Sequence, residues 1–213
     1  MTRAAWFASL TAAFALASCV IERRPEKRDV NHYLADARDL ASVRRVMVMP
    51  FAEEPGVVAE CSRIRDAYIA ELQKLRRFEL VPLPESAAEV AQLQASLRHG
   101  RVSTESIVEL CNRYRVDAVL AGSITTYRAY TPPSLGMRTQ LVSIHSGSVI
   151  WAVDAIYDSN DRSMQSDLRH YYKHVQTHNG NLHGWEFDTI SPTLFCTYVA
   201  HRFVGTWSEE ASD

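Results

Sequence analysis

Apolar and polar positions divide the chain into short strands and amphipathic helices. Val43-Arg44-Arg45-Val46-Met47-Val48-Met49-Pro50-Phe51 is a valine-rich apolar run that stops at a proline. That pattern predicts a strand buried on both faces, ended where Pro50 has no N–H to donate. From Val57 to Phe78 the apolar positions Cys61, Ile64, Tyr68, Leu72 and Leu75 fall three or four apart, making one helical face. Phe78 to Pro82 alternates as a short strand. Ser86 and Glu89 have capping-box spacing for a helix carrying Val90, Leu93 and Leu97 and ending at Gly100. A further helix is predicted from Ser103 to Tyr114, burying Ile107, Leu110, Cys111 and Tyr114.

Asp117 to Tyr127 is the second strongly strand-like run, and Gly122 in its middle points to a bulge or a close backbone approach. Tyr130 to Gly136, with Pro132-Pro133, reads as a loop. The stretch Met137 to Asp158 reads as a hairpin. A two-residue turn at Ser146-Gly147 sets Ile144 opposite Val149 and Val142 opposite Trp151, with Leu141, Ile150 and Ile156 on the other face. Ser163 to His178 is helical, burying Met164, Leu168, Tyr171, Tyr172 and Val175. Ser191 as N-cap and Pro192 in the first turn open a last helix ending near Gly205. Strands separated by helices, then a hairpin and more helices, predict an α/β (α+β) fold: one mixed sheet with helices packed against it.

The start of the chain carries different information. Arg3, the apolar run Ala4 to Ala17, and the small pair Ala17-Ser18 before Cys19 have the layout of a secretory signal peptide. The apolar run is shorter than the roughly 20 residues of a membrane-spanning helix. Leu16-Ala17-Ser18-Cys19 resembles a bacterial lipobox, which implies lipid on the Cys19 thiol and cleavage that makes Cys19 the first residue. Two or more acyl chains hold a protein durably to a membrane. With Val20 rather than aspartate next to the cysteine, the resemblance points to the outer membrane, facing the periplasm. The expected division is 1–18 signal peptide, 19–42 tether with a short helix from Asn31 to Leu40, 43–205 one domain, and 206–213 tail.

The net charge of -2 is not that of a nucleic-acid binder. Arg23, Arg24, Lys27 and Arg28 are interleaved with Glu22, Glu26 and Asp29, as in a solvated tether. After Cys19 three cysteines remain, Cys61, Cys111 and Cys196. Each lies on the apolar side of a predicted helix, where a thiol packs as a small hydrophobe, although an odd number also allows one bridge and one free thiol.

Three stretches together resemble a known group of envelope domains: VRRVMVMPF, YRVDAVLAGSITTY and LVSIHSGSVIWAVDAIY. The group is the α/β domain of curli-secretion lipoproteins, of penicillin-binding-protein activator lipoproteins, and of the Tol-Pal translocation protein's N-terminus. Pro50-Phe51, Gly122 and Ser146 to Trp151 carry the likeness, over about residues 43–176. It implies a lipid-tethered domain that scaffolds or regulates an envelope complex, in secretion or cell-wall assembly, with a protein partner. Homo-oligomerisation is compatible with it. The loops are too plain for the transmembrane hairpins of a curli-type pore, and no propeller follows.

Chemistry is sparse. GxSxG, a phosphate-binding glycine loop and HExxH are absent from the sequence, and no cofactor and no enzymatic activity are expected. Asp154 and Asp158 read as a polar edge and a turn. His170, His174 and His178 are four apart on one helical ridge, the spacing of HxxxH metal pairs, with His183 beyond. Metal binding there is the alternative to a solvated or partner-contact face. For partner binding the candidates are two aromatic groups, Tyr127 with Tyr130, and Trp185 with Phe187, since tyrosine and tryptophan anchor interfaces.

Overall fold

A computed structural model describes residues 30–35, 37–83, 104–175 and 191–207. Its strands and helices run β1 (His32–Leu34), α1 (Ala37–Ser42), β2 (Arg45–Val48), β3 (Ala52–Glu53), α2 (Cys61–Lys74), β4 (Glu79–Pro82), α3 (Thr104–Tyr114), β5 (Ala118–Arg128), β6 (Ser134–Ser143), β7 (Val149–Asp158), α4 (Arg162–His174) and α5 (Pro192–Gly205). The strands form one mixed sheet in the order β1-β7-β6-β5-β2-β4, with β3 also on β5. β2 runs parallel to β4 and β5, and β5, β6 and β7 form an antiparallel meander. This is the expected α/β architecture. The helix expected after Ser86 lies outside the described residues, as do Cys19 and its leader.

β2 is buried on both faces, as its unbroken apolar run requires. Val46 and Val48 enter the main core under α2, α4 and α5, whereas Met47 and Met49 enter a second, smaller core with Cys111, Val116, Val119 and Leu83, beneath α3. Pro82 is tolerated in β4 because β4 is an edge. In the main core, Trp151, Tyr68, Tyr157, Tyr198 and Phe203 are fully buried, each contributing ~1.5–3 kcal/mol relative to exposure. Trp151 Nε1 donates to Thr206 Oγ1 at 3.1 Å, so the one polar atom of the largest core ring is satisfied. The last helix begins as its sequence predicts: Ser191 caps it, accepting from the Leu194 N–H, with Pro192 at the first turn.

Four expectations are corrected. The chain enters the sheet at His32, ahead of the strand expected at Val43, and the helix expected over Asn31–Leu40 forms only from Ala37 to Ser42. The loop expected from Tyr130 to Gly136 ends earlier, since β6 starts at Ser134. The hairpin turn spans 144–147 rather than two residues. Ile144 N–H donates to the Asp117 carbonyl at 3.0 Å, which holds it to the β5 side, and Ser143 N–H closes the turn on Ser148 O at 2.9 Å. Gly147, at φ +67°, supplies the left-handed residue. The register then shifts by a bulge: Leu141 pairs with Trp151 and Val142 with Val149. Ile150 is the extra residue, so Leu141, Ile150 and Trp151 all join the main core. In α4, Tyr172 is half-exposed and Val175 exposed. The buried stripe is Met164, Asp167, Leu168 and Tyr171. Tyr172 falls at its margin, and Val175, at the C-cap, lies past its last turn.

Candidate functional site

The sheet has one face under helices and, among the described residues, one that α3 covers at the β2–β4 end. Strand pairing places the side chains of the remaining outer face in rows. One row is Tyr33, Ala152, Gln140 and Ala121, and the next is Asp154, Arg138 and Ser123. Ile156, Gly136 and Thr126 form a third, and Asp158, Ser134 and Arg128 a fourth. Tyr33 and Ile156 are 54% and 53% exposed, so two large apolar side chains stand on this face in solvent.

Arginines link the rows to their neighbours. Arg138 Nε donates to Asp154 Oδ2 at 2.9 Å and Nη1 to Glu54 Oε1 at 3.3 Å. The Asp154 hydrogen bond and charge raise the guanidinium above its ordinary value, holding it more firmly protonated. Arg128 Nη2 reaches both Asp158 oxygens, at 3.2 and 3.1 Å, while its Nε donates to Pro132 O at 2.6 Å. Asp154 and Asp158 are thus a polar edge, each taken by an arginine.

Beside Arg138 the outer face deepens into a cleft of about 820 Å³. Ala121, Gly122 and Ser123 floor it, and the segment Glu53–Val57 walls it. Small residues at the floor leave the space open. A Cβ on Gly122 would lie 2.7 Å from the Phe51 ring on the core side, so the glycine reflects the close approach expected there. Glu53 Oε1 is occupied, accepting the Ala59 N–H at 2.8 Å. The cleft therefore presents hydrogen-bonding and charged rims around an apolar floor.

The residues singled out in the sequence fall elsewhere. Tyr130 is 84% exposed, beyond the end of β5. Tyr127 is half-buried against the main core, and its hydroxyl is buried with no hydrogen-bond partner among the described residues. Burial, with the Glu60 carboxylate adding to it, pushes that phenol up. The two tyrosines therefore do not make one exposed cluster: β5 is irregular between Ile124 and Thr126, which turns Tyr127 to the core face opposite Leu135. Trp185, Phe187 and His178 lie outside the described residues. His170 and His174 do meet, ring centroids 4.4 Å apart. Among the described residues no cluster of three or more His, Cys, Asp or Glu could hold a metal. Cys111 and Cys196 are buried free thiols, and Cys61 is half-buried against the core.

Two buried acids escaped the sequence pattern. Glu71 lies within the apolar stripe of α2 and Asp167 within that of α4. Asp167 accepts from Tyr198 OH at 2.6 Å and pairs with Arg202 at 3.1 Å. A carboxylate recurring at a stripe position is the signal that would have found them, because burial demands a partner.

No family model matches the chain, and no curated protein matches it. Solved structures are similar to it. The PelC dodecamer from Paraburkholderia phytofirmans is 16% identical, covering 65% of this chain and 87% of that one, at a TM-score of 0.45. Lipoprotein GNA1162 from Neisseria meningitidis is 19% identical over 64% of this chain and 98% of that one, at 0.40. The LpoB C-terminal domain from Escherichia coli is 13% identical over 58% and 87%, at 0.41. Bacterial lipoproteins are thus among the structures to which this chain is similar, the kind of protein its sequence resembles. No helix among the described residues is long and apolar enough to cross a membrane.

Proposed function

We propose that this is a non-enzymatic envelope protein, tethered through lipid on Cys19 and facing the periplasm from the outer membrane, that binds a protein partner through its outer sheet face. The observation that carries the binding role is the exposure of Tyr33 and Ile156 on one face, flanking the Arg138–Asp154 pair. Apolar side chains standing among charged ones mark an interaction surface. The tether rests on the leader and lipobox-like residues of the sequence.

Photo-crosslinkers placed singly at Tyr33, Ile156 and, as a control on the helical layer, Asp66 test this in cells. One protein captured from Tyr33 and Ile156, absent from Asp66 and lost in Cys19→Ala, supports the reading. Capture of the same abundant neighbours from all three positions overturns it.

Metal binding is a second reading, favoured only by the His170–His174 ring contact. Calorimetry with zinc or copper tests it; the absence of micromolar binding removes it.

A further inference from the structure

Edge strands expose main-chain groups that another strand can take up. β1 covers only part of β7. It pairs His32 with Val153, Tyr33 with Ala152 and Leu34 with Trp151, and Ala35 N–H donates to Ile150 O at 3.0 Å. Among the described residues the pairing ends at His32; Val30 packs into the main core, with its carbonyl 2.9 Å from His32 Nδ1. Alternate residues of an antiparallel strand address the same neighbour. Ile150 and Ala152 face β1, so Asp154 and Ile156 direct their N–H and C=O the same way, past its end. Among the described residues no strand pairs with β7 there.

Side chains define what would fit. On the outer face, Glu54–Arg138–Asp154 and Arg128–Asp158 are two rows of alternating charge. Both end at the open edge on a carboxylate, with exposed Ile156 between them. A second copy of β7 added antiparallel around Ile156 would set Asp154 against Asp158, an unfavourable like-charge pair. A strand carrying basic residues four apart with an apolar one midway would extend both rows and cover Ile156.

We propose that residues 154–158 of β7 take up a β-strand of a partner protein with the pattern basic–x–apolar–x–basic. This rests on the partner-binding reading and names the chemistry of the partner. Main-chain hydrogen bonds would supply affinity and the alternate side chains specificity.

The test uses the full chain in detergent and the peptide acetyl-Thr-Lys-Thr-Val-Thr-Lys-Thr-amide, with a second peptide carrying Glu for Lys. Hydrogen exchange of the segment 154–158 is followed by mass spectrometry. The lysine peptide is expected to slow exchange there, and the glutamate peptide to bind at least about tenfold more weakly. Ile156→Pro removes an N–H that points away from β6 and should abolish protection. Because proline can disturb a strand, D154K/D158K is the second variant, expected to invert the preference between the peptides. The proposal is overturned if the Asp154 and Ile156 amides are already protected without peptide, if millimolar peptide leaves their exchange unchanged, or if both peptides bind alike. Should crosslinking from Ile156 still capture one tether-dependent partner, the partner-binding reading survives that failure.

Discussion

Glu71 of α2 and His201 of α5 meet between the helices, His201 Nδ1 3.2 Å from Glu71 Oε2. The Glu71 side chain is 2% exposed, and Lys74 pairs with its other oxygen. Burial alone would raise this carboxyl. Hydrogen bonds from His201 and Lys74, and their charges, outweigh it and hold the group below its ordinary 4.5. A depressed carboxylate contributes stability that is present above its unfolded value and lost as pH falls through its folded one. Thermal midpoints should therefore drop below about pH 4.5, and Glu71→Gln should flatten that drop. Glu71→Ala should cost ~1–3 kcal/mol at neutral pH, since it removes the charge-assisted hydrogen bonds that the half-buried His201 and exposed Lys74 make to this carboxylate. Identical pH profiles for wild type and Glu71→Gln would count against this.

Phe51 and Gly122 predict a coupled pair. The Phe51 ring is buried, 5.6 Å from Tyr68 in an edge-on contact, and occupies the place of a Cβ on Gly122. Gly122→Ala should destabilise by ~1–3 kcal/mol through overpacking. In Phe51→Leu the same glycine change should cost less, with a coupling of about 0.5 kcal/mol or more in urea unfolding. Strictly additive effects would mean that the ring moves aside freely.

Much of this architecture was legible because periodicity is local. Cys61 to Leu72 shows its helical face, and Ser191-Pro192 its cap, without any knowledge of neighbours. What escaped depends on contacts far along the chain. The hairpin register follows from the bond between Ile144 and Asp117, which no turn rule contains. β1 has three residues, too few for an alternation to register. Glu71 and Asp167 sit at stripe positions of α2 and α4, but the partners that satisfy them, His201, Tyr198 and Arg202, come from α5. The binding face was the least visible part. Tyr33, Arg138, Asp154 and Ile156 are ordinary strand residues, and their exposure depends on tertiary packing that no local pattern encodes.

Cysteine reactivity should divide along burial. Desolvation pushes the Cys111 thiol up to about 11 and the Cys196 thiol up to about 12, and the thiolate is the reactive form. In native Cys19→Ala protein at pH 8, alkylation should reach the half-buried Cys61 first. Cys111 and Cys196 should label only in denaturant. Equal native labelling of all three, read by mass spectrometry, would contradict the burial described for α3 and α5.

Arg138 tests whether the outer face serves the fold or its contacts. Its partners are Asp154 and Glu54, and all three side chains are more than a third exposed. Exposed ion pairs contribute about 0.2–1 kcal/mol each and weaken with salt. Arg138→Ala should therefore lower stability by at most about 1–2 kcal/mol, and less in 1 M salt. The same change would leave Asp154 and Glu54 unbalanced beside the cleft, shifting the local charge by one unit towards negative. A basic partner should then associate faster and with a steeper salt dependence, whereas an acidic one should be repelled. Unfolding curves at two salt concentrations give the first comparison. Association rates of the captured partner give the second. A large, salt-independent loss of stability in Arg138→Ala would mean that the arginine holds β6 to the Glu54 segment structurally, and would move the binding role away from this row.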